Sequence, residues 1–285
     1  MGTYLREVFM LLRLTILLCA VGVFAQEEQK KEAAPTKADT LKVVTYNVLA
    51  EKVNTKQRVP ALFKILKDAN ADIIVLQEVS PWLLFEMLDE PSLKDYALFE
   101  GYGEYLFIAN VKADITRHEK LPGRQNRSVF FAQFTINGRK VAIATAHMES
   151  PLEAGPTRAK QLDQIFGLLK DCDDAILLGD FNFGDGEEPE TSHLDKKYVD
   201  AWRAVKPNDP GYTWNIEKSD MAKNGSFPGE KSRRIDRILV RSDRWKPVAA
   251  EIIGDKPLNE GKQDAFPSDH FGLTATLKFS EPDKK

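Results

Sequence analysis

Cysteine is scarce in this chain, with 2 in 285 residues, Cys19 and Cys172. Cys19 lies in an N-terminal segment that reads as removable, so Cys172 would stand alone and no intrachain disulfide could brace the fold. Stability must then come from a large core, which a chain of this length can build. Cys172 sits among Asp171, Asp173 and Asp174, whose negative charge disfavours a thiolate, so it reads as a structural thiol and not a nucleophile. Excess positive charge is also missing: the formal net charge is −3 at pH 7. That excludes a nucleic-acid binder working through overall charge, and any grip on phosphate must be local. No internal repeat is visible.

The ends of the chain read as processing and tether segments. Arg6 and Arg13 precede the apolar run Leu14–Phe24, and Val23-Phe24-Ala25 offers small residues at the positions a signal peptidase reads, so residues 1–25 are expected to be an export signal. The run falls short of the roughly 20 residues a membrane span needs, and starting it at Val8 would put Arg13 in hydrocarbon. Leu18 before Cys19 is too bulky for a lipoprotein signal. Removing Arg6, Arg13 and Glu7 with the segment leaves a net charge of about −4. Residues 26–40, rich in Glu, Lys and Ala, lack apolar periodicity and read as a disordered linker. Residues 281–285 read as a solvated tail. Between them, 41–280 reads as one domain, in a protein expected to be exported (periplasmic or extracellular) and monomeric, with no stable protein partner and no membrane span in the mature chain.

Within that domain the periodicity switches repeatedly. Residues 41–47, Ile73–Leu76, Leu106–Ala109, Val129–Ile136, Lys140–Ala146 and Ala175–Leu178 read as strands, with Asn137-Gly138 turning two of them into a hairpin. Late strands are expected at Ile235–Arg241, Pro247–Ile253 and Leu273–Phe279. Val59, Leu62, Phe63 and Leu66 recur at helical spacing in Thr55–Asp68, Pro81 heads a helix through Leu88, and Thr157–Leu169 is a third. This pattern specifies an α/β (α+β) domain and nothing finer. Phe183–Lys197 and Ile216–Arg234 carry no periodicity; loops of that length are usually functional, and both read as rims of a cleft.

Chemistry concentrates where the strands end. Thr45-Tyr46-Asn47, Leu76-Gln77-Glu78 and Gly179-Asp180-Phe181-Asn182 each follow an apolar strand, and Ser268-Asp269-His270 precedes one. Strand exits are where α/β scaffolds place their chemistry. Any one of these segments could be an ordinary turn, but together they supply a set of Asn, Glu, Asp and His suited to metal-assisted hydrolysis.

The order TYN, LQE, HMES (His147–Ser150), GDFN, IDR (Ile235–Arg237) and SDH resembles the endonuclease/exonuclease/phosphatase, or DNase I-like, superfamily. His147-Met148-Glu149-Ser150, Tyr212-Thr213-Trp214 and the segment from Phe266 to Leu273 are most similar to the metal-dependent tyrosyl-DNA phosphodiesterases, which cleave 5′-phosphotyrosyl bonds. The resemblance covers about residues 41 to 279 and implies two mixed β-sheets packed as a sandwich with flanking helices. It also implies Mg²⁺, with Mn²⁺ able to substitute, held by Glu78 with Asn47 and Asp269 nearby. Asp180 would accept a proton from, or orient, the attacking water; Asn182 would donate to the phosphoryl oxygen. His270 would bind the scissile phosphate as imidazolium with Asp236 fixing its tautomer. His147 would donate to a nonbridging oxygen with Ser150 behind it, and Trp214 would be a stacking wall or an ordinary core aromatic. Glu149 is left unassigned and reads as solvated.

Two departures stand out. Leu49 occupies a place where abasic-site endonucleases carry an aspartate, which favours one tightly bound metal over two. Gly184 stands where the tyrosyl-DNA enzymes carry an arginine; Arg203, Arg233 and Arg234 are candidates to supply that charge from elsewhere. The expected activity is hydrolysis of phosphodiester bonds in nucleic acids or at their ends by in-line attack of water. The alternatives are a lipid headgroup phosphodiesterase of the sphingomyelinase type, another small phosphoester hydrolase, or a domain that binds without turnover. The last would need a missing site residue, and none of the main ones is missing.

Overall fold

A computed structural model describes residues 38–94, 96–101, 105–109, 113–259 and 264–281. The expected signal at 1–25, all of the expected linker but 38–40, and the end of the tail lie outside the described residues. Thr40, placed in the linker by its polarity, instead opens the first strand.

Among the described residues, the strands form two six-stranded sheets. In the first, β1 (Thr40–Asn47) and β2 (Ile73–Gln77) run parallel at its centre. Beyond β2 lie β4 (Tyr105–Ala109) and then β3 (Ala97–Gly101). On the other side of β1 lie β12 (Gly272–Phe279) and then β11 (Trp245–Ile253). The second sheet runs in the order β5 (Ile115–Lys120), β6 (Ser128–Ile136), β7 (Arg139–His147), β8 (Asp174–Asp180), β10 (Asp236–Arg241) and β9 (Val199–Asp200).

Alternation along the strands builds the layers, because successive side chains point to opposite faces. Val43, Ile73 and Val75 of the first sheet meet Phe134, Ile143, Leu178 and Ile238 of the second in the central core. The next residues along, Val44, Tyr46, Ile74 and Leu76, face outward against α1 (Thr55–Ala69) and α2 (Pro81–Leu88). On the far side, Ala142, Ala144, Ala175 and Leu177 pack on Leu162, Ile165 and Leu169 of α3 (Gly155–Leu169). The result is the sandwich with flanking helices that the resemblance implied.

The differences from the sequence reading have local causes. β5 is Ile-Thr-Arg-His-Glu-Lys with every residue exposed, so it carries no apolar alternation and exists through its pairing with β6. The long stretch 183–197 contains a 3₁₀ turn at Glu190–His193, and 216–234 contains α5 (Asp220–Gly225), after the short α4 (Ala201–Val205). In α1 the buried positions are Arg58, Leu62, Phe63, Leu66 and Ala69, with Val59 only half-buried. A charged residue thus occupies the inward register. No helix among the described residues is long and apolar enough to cross a membrane.

Candidate active site

The strand pairings bring the motif residues to one edge of the sandwich. β1 and β2 run parallel, with Asn47 opposite Gln77, so Asn47 and Glu78 leave the sheet side by side. β7 and β8 also run parallel, with His147 opposite Asp180. β10 is antiparallel to β8, and its first residue, Asp236, pairs with Asp180. β12 is antiparallel to β1, which returns Asp269 and His270 to the same edge. Beneath them, Gln77 Nε2 donates to Thr45 Oγ1 and Thr145 Oγ1 at 3.1 Å each, tying the two sheets under the site.

Backbone conformation turns the side chains inward. Glu78 has φ 61° and Asn182 φ 54°, the left-handed region that non-glycine residues seldom enter. Each such residue costs on the order of 1–3 kcal/mol, a strain that clusters at functional sites. Gly179 has φ 149°, and a Cβ there would lie 2.1 Å from the Ala146 carbonyl oxygen. Only glycine lets β8 approach β7 closely enough to set Asp180 beside His147.

Asp180 is the centre of the arrangement. Its Oδ2 accepts from Asn47 Nδ2 at 3.2 Å and lies 3.4 Å from His147 Nε2 and 3.7 Å from His270 Nε2. Its Oδ1 accepts from the Asn182 backbone N–H at 2.9 Å. Burial pushes the Asp180 carboxyl up to about 7; the His270 charge opposes the rise, and Asp236 adds to it. His270 Nδ1 donates to Asp236 Oδ2 at 2.9 Å. Burial alone would discharge this ring, but Asp236 and Asp180 outweigh it and hold its pKa well above the ordinary value.

His147 is in the opposite state. Burial, then the charges of Arg127 and His270, press its pKa well below the ordinary value. Arg127 Nη1 lies 3.0 Å from His147 Nδ1, and because arginine only donates, Nδ1 accepts and the ring proton sits on Nε2, facing Asp180. The site therefore holds one charged and one neutral imidazole about a single carboxylate.

Glu78 Oε1 accepts from Asn47 Nδ2 at 3.1 Å, and its Oε2 accepts from the Ala50 N–H at 3.0 Å. Burial, followed by the charge of Asp269, raises its pKa. Asn47 thus donates to two carboxylates, each of which burial makes reluctant to ionise. A divalent cation would favour the ionised form of Glu78 against both burial and the charge of Asp269, and oxygen donors of this kind suit Mg²⁺, so the residues present fit the expected ion. A second cluster, Asp180, Asp236 and His270, has ligand atoms all within 4.8 Å of one another. Its chemistry differs, since Asp236 and Asp180 hold a proton on His270, which leaves an imidazolium poorly suited to bind a cation. Asp269 Oδ1 accepts from the His270 N–H at 3.1 Å and lies 3.1 Å from Ser268 Oγ, whose own proton goes to the Asn47 carbonyl.

Several sequence expectations need correction. Glu149 is not solvated: it is 4 % exposed, and its Oε1 accepts from the backbone N–H groups of Arg124 and Gln125, holding the loop that leads to Arg127. Trp214 is 7 % exposed, with its ring centroid 4.9 Å from that of His270 and its other contacts to Ala222 and Ile235. Of the two readings held for it, the core aromatic fits: its ring supports His270, and α5 covers it, so it does not stand open as a wall for a base. Asn182 spends one Nδ2–H on the Met148 carbonyl at 3.0 Å. The three arginines considered for the charge absent at Gly184 are all tied to carboxylates: Arg203 to Asp185, Arg234 to Asp185 and Asp200, and Arg233 to Glu187 and Glu230. Arg127, 6 % exposed, is instead the arginine at the site, and it also donates to Ser150 Oγ at 2.8 Å. Sequence reasoning missed it because it belongs to no motif; its only signal was a cation at the entry to an apolar strand. His193 contacts Asp163 and lies apart from these residues.

A β-sandwich with this cluster of acids, amides and histidines at one edge defines a class, and residues 44–270 match the Endonuclease/Exonuclease/phosphatase family. The chain belongs to that family. It is 26 % identical over 254 residues to tyrosyl-DNA phosphodiesterase 2 of Mus musculus, a match covering 84 % of this chain and 66 % of that one. The Danio rerio protein of the same name is also 26 % identical, over 91 % of this chain and 73 % of its own length. The chain thus spans about two thirds of the length of these relatives. The crystal structure of D. rerio TDP2 complexed with single strand DNA product superposes with a TM-score of 0.75 at 25 % identity, over 85 % of this chain and 100 % of that one. An endonuclease/exonuclease/phosphatase family protein from Bacteroides thetaiotaomicron shares the fold, with a TM-score of 0.66 at 18 % identity, over 87 % of this chain and 100 % of that one.

Proposed function

We propose that this protein is a divalent-metal-dependent phosphodiesterase that hydrolyses phosphodiester bonds at nucleic-acid ends or in single strands. The observation that carries the proposal is the pairing of imidazoles around Asp180, one held charged by Asp236 and one held neutral by burial and Arg127. A Mg²⁺ or Mn²⁺ ion held by Glu78, with Asn47 and Asp269 close by, would neutralise phosphoryl charge. Asp180, with a pKa near neutrality, is suited to take a proton from the attacking water. The His270 imidazolium would bind an anionic oxygen and stabilise the charge that builds in the transition state, and the His147 Nε2–H would donate to a second oxygen. Asn182 keeps one amide N–H for the same purpose.

The relatives named for tyrosyl-DNA and the D. rerio complex with a single-strand product support a nucleic-acid end as substrate. The negative net charge of the chain is compatible with a short contact of that kind, in which few phosphates are gripped. Export is part of the proposal and rests on Arg6, Arg13 and the apolar run ahead of Ala25; action as a monomer is proposed with it.

A panel assay of the purified protein with Mg²⁺ and with Mn²⁺ tests the reading, comparing 5′-tyrosyl DNA, single- and double-stranded DNA, sphingomyelin and an aryl phosphodiester. Metal-dependent turnover of the DNA ends or single strands is expected. Selective turnover of sphingomyelin in bilayers would replace this reading with the lipid one.

A further inference from the structure

Arg58 lies on the inward face of α1 and is 3 % exposed. Its guanidinium makes five hydrogen bonds, every one to a backbone carbonyl: Nε to Pro267 at 2.9 Å, Nη1 to Glu51 at 3.0 Å and Val53 at 3.1 Å, Nη2 to Val48 at 2.8 Å and Leu49 at 3.3 Å. These carbonyls belong to two loops. The loop at 48–53 supplies the Ala50 N–H that holds Glu78 Oε2 at 3.0 Å and the Leu49 N–H that holds Asn47 Oδ1 at 3.1 Å. The other loop runs from Pro267 directly into Ser268-Asp269-His270. A second tie joins them where Ser268 Oγ donates to the Asn47 carbonyl at 2.7 Å.

A helix needing only stability would carry an apolar residue in this register, as it does at Leu62 and Leu66. Burying a cation is costly unless its bonds repay it. Here those bonds all go to the backbone of the two segments that aim Glu78 and present Asp269. The negative charges of Asp269 and Glu78 act on Arg58 in opposition to burial, which places the guanidinium in the field of these carboxylates.

We propose that Arg58 is a positioning residue for the cation site: its fan of bonds holds the loop that aims Glu78 at a fixed separation from the loop carrying Asp269 and His270, so the oxygen donors are gathered before a cation arrives. The inference rests on the phosphodiesterase reading in taking that cation to be Mg²⁺ or Mn²⁺. Charge and geometry act with opposite sign, which makes the idea testable. As a mere positive charge, Arg58 would repel a divalent cation, and its removal would tighten binding. As a geometric clamp, its loss would weaken binding whether or not the charge is kept.

The experiment is calorimetric titration of the metal-free full chain with Mn²⁺ alone, for wild type, Arg58→Lys, Arg58→Gln and Leu62→Ala. Lysine keeps the charge but is a compact donor without the planar fork, and glutamine keeps two donors without the charge. Both are expected to bind Mn²⁺ at least about tenfold more weakly than wild type, or ~1.4 kcal/mol. Leu62→Ala, which removes core packing from the same helix face, is expected to lower Tm while leaving Mn²⁺ affinity within about twofold, because additivity holds between independent sites. Wild-type affinity in Arg58→Lys, tighter binding in Arg58→Gln, or equal weakening in Leu62→Ala would each overturn the proposal. If Arg58→Gln does not fold, the lysine variant decides alone. Failure of the wild type itself to bind Mn²⁺ would overturn the phosphodiesterase reading and this inference with it, whereas equal binding by wild type and Arg58→Lys would overturn only the inference.

Discussion

Replacing Asp236 with asparagine should separate the charge on His270 from its orientation. Asp236 is fully buried, and its Oδ2 lies 2.9 Å from His270 Nδ1. The asparagine carbonyl can still accept that N–H, so the tautomer survives and the ion pair does not. At an effective dielectric of about 20, opposite unit charges at this distance attract by roughly 6 kcal/mol. If even half of that is lost, the imidazole pKa falls by about two units at ~1.4 kcal/mol per unit. Asp180 remains as the other anion, 3.7 Å from Nε2, but burial works against the cation. The raised pKa means that the stabilisation from this histidine is present below about pH 6.5 and is lost as pH rises through the folded-state value. In the variant that loss should move to lower pH, leaving the ring neutral over a wider range of pH. kcat on an aryl phosphodiester should then drop by about 100- to 1000-fold, the scale of a missing charge stabiliser, with KM changed little. Ring nitrogen chemical shifts followed through a pH titration, assigned by comparison with His270→Ala, should show the imidazolium persisting to higher pH in the wild type than in the variant. A kcat within a few-fold of wild type, or an imidazolium that titrates at the same pH in variant and wild type, would refute the role given to Asp236.

Glu78→Ala and chelation with EDTA should abolish turnover by the same route; added Mg²⁺ should restore the chelated wild type and not the variant, and an active variant in chelator would remove the metal assignment. Asp185, whose carboxyl burial tends to raise, is instead held well below the usual range by Arg234, Arg237 and Arg203. A depressed pKa stabilises above the unfolded value near 4 and loses that effect as pH falls through the folded one, so Asp185→Asn should lower Tm at pH 7 and match wild type in strong acid. Trp214→Ala should reduce kcat and Tm more than DNA affinity, since its ring supports His270; a loss confined to affinity would restore the stacking wall. The logarithm of the DNA binding constant should fall with the logarithm of salt at a slope no steeper than about 2 or 3, and a slope of about 6 to 9 would mean many phosphate contacts.

The site's membership was legible in the sequence to an unusual degree, because each motif residue lies at the end of an apolar strand or just ahead of one, and strand ends are easy to read. Asn47, Glu78, His147, Asp180, Asp236 and His270 could be named as members from residue type, spacing and family resemblance. What periodicity could not provide was the sandwich itself, because alternation marks the two faces of a strand without saying which other strand lies next to it. β5 shows the limit: with its described residues all exposed, it has no pattern to read, and only pairing with β6 makes it a strand. Environment was equally hidden. Glu149, Arg127 and Arg58 are charged residues that sequence alone assigns to solvent, yet all three are buried, because backbone amides, a histidine and loop carbonyls from distant segments supply the bonds that water would otherwise make. The opposite protonation of His147 and His270 has the same origin. The two residues are chemically identical, and they differ only because folding sets an arginine against one ring and an aspartate against the other.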